Sequence, residues 1–155
     1  MSISLLRFFA IFLLIVPLGM NAQTSKKMTY KSVKYKANVD APLTSSEMGK
    51  IEEVYQESAK KEVLDSPIRV KQLKHLLRNR IRIIKIDIRE KQRPCQLLSD
   101  IELFNPYNKA LKREAVFNKE NFNPLKYNFN FYPSATVMYR VDGTNYYIQI
   151  KSQFQ

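Results

Sequence analysis

The chain has 155 residues, with 26 Lys and Arg against 14 Asp and Glu, for a formal net charge of +12. One histidine, one cysteine and three glycines exclude an internal disulfide, a zinc site built from several His and Cys ligands, and a glycine-rich phosphate loop. The positive excess steers anionic partners toward the protein but does not choose among them.

Residues 1–22 have the three parts of a secretory signal peptide. Arg7 supplies the basic start, residues 8–18 form an apolar run, and residues 19–22 are small and polar, ending in Ala22. As a helix this run reaches about 16 Å, well short of the roughly 30 Å hydrocarbon core of a bilayer. Cleavage is expected after Ala22. The mature chain is then expected in the periplasm or outside the cell, with no transmembrane span and, without Arg7, a net charge of +11. No cysteine ends the apolar run, which argues against a lipid anchor.

Residues 23–43 read as a basic flexible arm: residues 23–39 carry five lysines and no acid. Residues 44–155 read as a single α+β domain. A first amphipathic helix is expected over residues 45–63. Thr44 and Glu47 have the spacing of a capping box, and Met48, Ile51, Tyr55, Ser58 or Ala59, and Glu62 or Val63 follow the helical period. Ser66 and Pro67 mark a second helix running to about Asn79, as N-cap and first helical position. Its apolar face is Val70, Leu73, Leu76 and Leu77. Lys71, Lys74, His75 and Arg78 gather opposite, as a basic stripe open to solvent.

Residues 81–88 change to a period of two. Ile84, Ile86 and Ile88 define the buried face of a strand; Ile81 and Ile83 have the opposite parity, so a bulge or a late helix end is expected near Arg82. Residues 97–103 read as a short second strand, and residues 104–122 as irregular chain with Asn-rich turns. Asp142-Gly143 signals a two-residue hairpin turn. It pairs Val141 with Thr144, Tyr139 with Tyr146, Val137 with Ile148 and Ala135 with Ile150, which places the apolar residues on one face. The expected architecture is thus two N-terminal amphipathic helices packed on a small antiparallel sheet that ends in a C-terminal β-hairpin.

Three strings, residues 76–80 (LLRNR), 122–127 (FNPLKY) and 139–144 (YRVDGT), resemble a family of small uncharacterised exported proteins of Bacteroidetes bacteria. The signal ending in Ala22-Gln23 resembles theirs too, and the likeness covers about residues 66–152. It implies export and one domain, and carries no functional residues across.

Two surfaces stand out chemically. Lys71, Lys74, Arg78, Arg80 and Arg82 are anion-binding candidates, since ammonium and guanidinium groups grip phosphate or sulfate. Tyr127, Phe129 and Phe131 alternate with Asn128 and Asn130, and are candidates for stacking on a sugar or peptide. The plainer alternative has these aromatics packed inward with the asparagines in water. His75 and Cys95 could form a nucleophilic pair, with Lys91 and Arg93 favouring the thiolate, but no orienting third group accompanies them. Glu52, Glu53 and Glu57 read as a solvated helix face.

No catalytic constellation, metal motif or cofactor motif emerges. The function read from sequence is therefore a non-enzymatic cell-envelope binding or interaction protein with a basic surface. Its partner would be a lipid headgroup, lipopolysaccharide or acidic glycan, or an envelope protein; nucleic acid is disfavoured because no reading motif accompanies the charge. The alternatives are a glycan- or peptide-binding module using residues 127–132, and a small secreted hydrolase with an unrecognised site.

Overall fold

The computed structural model describes residues 32–87 and 94–154. The signal segment, the first part of the basic arm and Ile88 lie outside the described residues. Helix α1 spans Ser45–Tyr55. The Thr44 hydroxyl accepts from the Glu47 N–H (3.2 Å), and Glu47 Oε2 accepts from the Thr44 N–H (2.9 Å), so two orphan donors of the first turn are satisfied. The helix expected to reach residue 63 stops at Gln56, whose φ is +46°. A 3-10 turn (Gln56–Ser58) and a π turn (Lys60–Leu64) follow. In one straight helix each step of four residues drifts by about 40°, which would carry Val63 well off the stripe begun at Ile51. The break resets the phase, and Ile51, Tyr55, Ala59 and Val63 all enter one apolar cluster.

Helix α2 spans Pro67–His75. Ser66 Oγ accepts from the Arg69 N–H (3.4 Å), and a π turn, Leu76–Arg80, carries the chain into the sheet. Leu76 is buried in the helical cluster, with Val70, Leu73 and Leu77 packed against it.

The sheet is antiparallel and has three strands, β1 (Ile81–Lys85), β2 (Val137–Arg140) and β3 (Tyr146–Ile150), in the order β1-β3-β2. Mixed α+β is therefore the fold class. Three sequence expectations are corrected here. In the hairpin, Val137 pairs with Ile150 and Tyr139 with Ile148, a register two residues away from the expected one. The connection is a four-residue loop closed by Val141 N–H to the Tyr146 carbonyl (2.9 Å). Ser99 holds the Asp142 carboxylate through its N–H (3.0 Å) and hydroxyl (2.5 Å), and the Thr144 hydroxyl donates to the Val141 carbonyl (3.0 Å) and accepts from the Tyr146 N–H (3.0 Å). Gly143, at φ +64°, supplies the left-handed residue this loop requires. A slip of two conserves side-chain parity, so the apolar face is the expected one.

In β1, Ile81 and Ile83 lie on the core face, opposite Ile150 and Ile148, whereas Ile84 is on the other face beside Tyr147. This inverts the expected parity, because the preceding π turn fixes the strand's entry. Residues 97–103 are not a strand. A 3-10 turn (Leu98–Asp100) lies between two isolated bridges, Leu97 to Arg140 and Leu103 to Tyr127.

The core is double. One cluster joins Ile148, Ile150, Tyr139 and Val141 of the sheet region to Phe122, Tyr127 and Phe129; the other joins the helices to Leu125. Ile81 and Phe131 pack against both. The helices thus meet the 122–131 segment rather than lie flat on the sheet. That segment is pinned by Asn123, 1% exposed, whose Nδ2 donates to the Lys50 carbonyl (2.9 Å) and Glu53 Oε2 (2.8 Å) and whose Oδ1 accepts from Leu125 N–H (3.0 Å). Next to it, buried Lys126 lies between Glu114 (2.7 Å) and Glu53 (3.0 Å).

Candidate functional site

The five anion-binding candidates do not form a solvent-facing stripe. Residues 36–43 of the expected flexible arm fold across that side of α2, where Val39 is buried. Lys74 Nζ donates to the Ala41 carbonyl (2.9 Å). Arg78 grips Glu47 with two hydrogen bonds of 2.6 Å, and also donates to the carbonyls of Pro42 (2.7 Å), Ala41 (3.3 Å) and Asn38. Its fork holds the Glu47 carboxyl below the usual carboxylate range. Lys71 pairs with Asp40 (3.4 Å) and sits over the Tyr35 ring. Only Arg82 is exposed without such a partner among the described residues. Most of the apparent basic face therefore serves internal carbonyls and carboxylates.

Arg80 and His75 turn toward a cavity of about 580 Å³. Its wall combines the aromatic rings of Tyr55, Phe104 and Phe131 with the amides of Asn128 and Asn130. Arg80 is 4% exposed. Its Nε donates to the Lys151 carbonyl (3.0 Å) and its Nη2 to the carbonyls of Phe131 (2.5 Å) and Lys151 (2.9 Å). Nη1 has no hydrogen-bond partner among the described residues, and no carboxylate pairs with this guanidinium. Burial pushes its pKa down from the ordinary value.

His75 was expected in solvent but is 5% exposed. Tyr35 of the arm meets the ring edge-on at 5.0 Å. Burial lowers its pKa, and the charges of Arg80 and Lys36 push the same way. Asn79 Nδ2 lies 3.4 Å from Nδ1, so the proton of the neutral ring sits on Nε2. That nitrogen is sealed from solvent and has no hydrogen-bond partner among the described residues.

Of the stacking candidates, Tyr127 and Phe129 are core groups, 2% and 5% exposed, packed ring to ring at 5.4 Å. Burial and the Glu114 carboxylate push the Tyr127 hydroxyl's pKa up. Phe131 is half-buried and is the one of the three with an appreciable free face. The intervening Asn128, Asn130 and Tyr132 are exposed and also line the cavity. The core alternative thus describes two of the aromatics, and the segment's other side forms a wall. Sequence reasoning missed the roles of His75 and Arg80 as buried groups, although a lone His in a basic helix face was a visible signal.

No aspartate, glutamate, serine, threonine or cysteine lines this cavity among the described residues, and Cys95 is not part of it. Burial raises the Cys95 thiol's pKa, which disfavours a reactive thiolate. No group of three or more His, Cys, Asp and Glu suited to a metal ion occurs among the described residues. No described helix is long and apolar enough to cross a membrane. Comparison with protein-family models, curated proteins and solved structures returns no match.

Proposed function

We propose that this chain is an exported, non-enzymatic binding module whose ligand enters the cavity beside residues 127–132. One observation carries the reading: an aromatic-walled space of about 580 Å³ opens beside Arg80, a buried guanidinium that no carboxylate among the described residues pairs with. Ligand cavities are commonly about 300–1,000 Å³, apolar, with few polar groups that orient the ligand. A buried cation without a counter-charge costs stability, and an anionic ligand would supply that charge. The two helices expected from the sequence, standing beside the sheet, serve as the scaffold that carries one wall.

Export rests on the signal-like segment and on the resemblance to exported Bacteroidetes proteins. The envelope's anions remain the partner class, but the anion is met in a cavity rather than on a flat basic face. A hydrolase reading lacks a nucleophile and a carboxylate beside His75 among the described residues.

The dye 1-anilinonaphthalene-8-sulfonate tests the cavity, since it is itself an aromatic anion. The purified protein should bind it saturably at one site. Asn130→Trp, at an exposed lining position, should fill the space and abolish that binding with an unchanged circular dichroism spectrum. Unaltered dye binding by the folded variant would remove the reading. Mature protein beginning at Gln23 in an envelope or culture fraction tests export.

A further inference from the structure

Strand β1 ends the sheet, and its outer side meets no other strand among the described residues. Lys151 N–H donates to the Arg80 carbonyl (2.9 Å) and Ile86 N–H to the Asn145 carbonyl (2.9 Å), at the two ends of the β1–β3 pairing. Hydrogen-bonded and non-hydrogen-bonded pairs alternate along an antiparallel ladder. Arg82 and Ile84 therefore turn their N–H and C=O groups to β3, and Ile81, Ile83 and Lys85 turn theirs outward. The Ile81 N–H is taken by the Leu76 carbonyl. The Ile81 carbonyl and both backbone groups of Ile83 and Lys85 have no partner among the described residues.

A groove of about 360 Å³, lined by Leu77, Ile81, Ile83, Phe122 and Pro124, lies on the core-face side of this edge. Of its charged groups, Glu47 is held by Arg78, and Lys119 and Glu120 pair with each other (3.4 Å). Lys50 has no counter-charge among the described residues. On the opposite face of β1, Arg82 is exposed and equally unpaired, whereas Lys85 is met by Asp87 (3.0 Å).

An open edge accepts an extended chain, whose backbone supplies the missing bonds and whose successive side chains point to opposite faces. The residue set opposite Ile83 enters the groove, which calls for an apolar side chain. Its neighbour, set opposite Arg82, calls for an acid. A second copy fits worse. Pairing β1 with itself about Ile83 sets Arg82 diagonally across from its own copy, and two chains of net charge +12 repel.

We infer that β1 is a docking edge for an extended protein segment in which apolar residues alternate with Asp or Glu, the apolar side chains entering the groove and a carboxylate meeting Arg82. The groove shares no lining residue with the cavity, and the inference does not rest on it.

Isothermal titration of the purified protein with acetyl-Glu-Val-Glu-Val-Glu-Val-Glu amide tests this, beside the same peptide with lysine for glutamate. The acidic peptide should bind at a single site, and the lysine peptide roughly tenfold or more weakly. N-methylating either the valines or the glutamates removes the N–H groups along one edge of the peptide. One of the two should cost roughly tenfold or more in affinity, the valines for antiparallel addition and the glutamates for parallel. Lys85→Pro deletes an outward N–H without removing a ladder bond. It should weaken binding roughly twofold to tenfold with an unchanged circular dichroism spectrum. Arg82→Glu, at an exposed position, should erase the preference for the acidic peptide. No binding of the acidic peptide, equal binding of both peptides, or indifference to both N-methylations would each overturn the assignment. A dimer in sedimentation that Lys85→Pro dissociates would give the edge to a second copy and overturn it as well.

Discussion

Replacing Arg78 by alanine should undo the attachment of the arm to the helices. The guanidinium and the Glu47 carboxylate are only 14% and 12% exposed and lie 2.6 Å apart. Removing one partner of a buried ion pair costs roughly 3–5 kcal/mol, because the other charge stays desolvated. Here residual exposure lets water reach Glu47, and Thr44 still donates to it, so the expected loss is about 2–4 kcal/mol. With a urea slope of about 1.5 kcal/mol/M, the midpoint should drop by about 1–3 M. Arg78→Lys should recover little, since one ammonium cannot serve both carboxylate oxygens and three carbonyls. A double-mutant cycle with Glu47→Ala should give a coupling of about 1–3 kcal/mol. Trypsin should cut faster after Lys34 and Lys36 in the folded variant, reporting release of the arm. The Glu47 carboxyl is lowered first by Arg78, so its contribution is present above the unfolded carboxyl value and lost as pH falls through the folded one. Arg78→Ala should flatten that acid limb. A midpoint within about 0.3 M of wild type, or zero coupling, would refute the clamp.

Two further outcomes follow from the same physics. Asn123→Ala leaves the Lys50 carbonyl and the Leu125 N–H without their partner at a site 1% exposed; a loss of about 2–4 kcal/mol is expected by urea denaturation, and a loss below about 1 kcal/mol would show that Asn123 is not the pin. His75 has a folded pKa below its ordinary 6.5 through burial, Arg80 and Lys36. The unfolded chain therefore binds its proton first, and stability should fall as pH drops through about 6.5 toward the folded value. His75→Gln should remove that slope between about pH 7 and 5, and an NMR titration placing the ring at or above 6.5 would overturn the assignment.

Local rules were legible. Thr44 with Glu47, and Ser66 with Pro67, are start signals in the sequence and caps in the structure, because capping reaches only three residues. The two faces of the C-terminal hairpin were legible for the same reason: strand parity is local and survives a two-residue slip. The register itself was not, because Ser99, 43 residues away, captures Asp142 and lengthens the loop. The phase break at Gln56 and the inverted face of β1 likewise answer to the cluster each segment must join.

The candidate site shows the division most clearly. Composition and periodicity established a basic helix face, an alternating aromatic segment and a signal-like start. Whether a cation faces water or a carbonyl depends on chain that returns from far away. Arg78 meets Glu47 across 31 residues, and Arg80 meets Lys151 across 71. Sequence proximity carries no record of such pairings, since the free energy of burying a charge is decided by what surrounds it. Only the tertiary structure could turn the expected surface stripe into an internal clamp and bury the Arg80 guanidinium at the edge of a cavity.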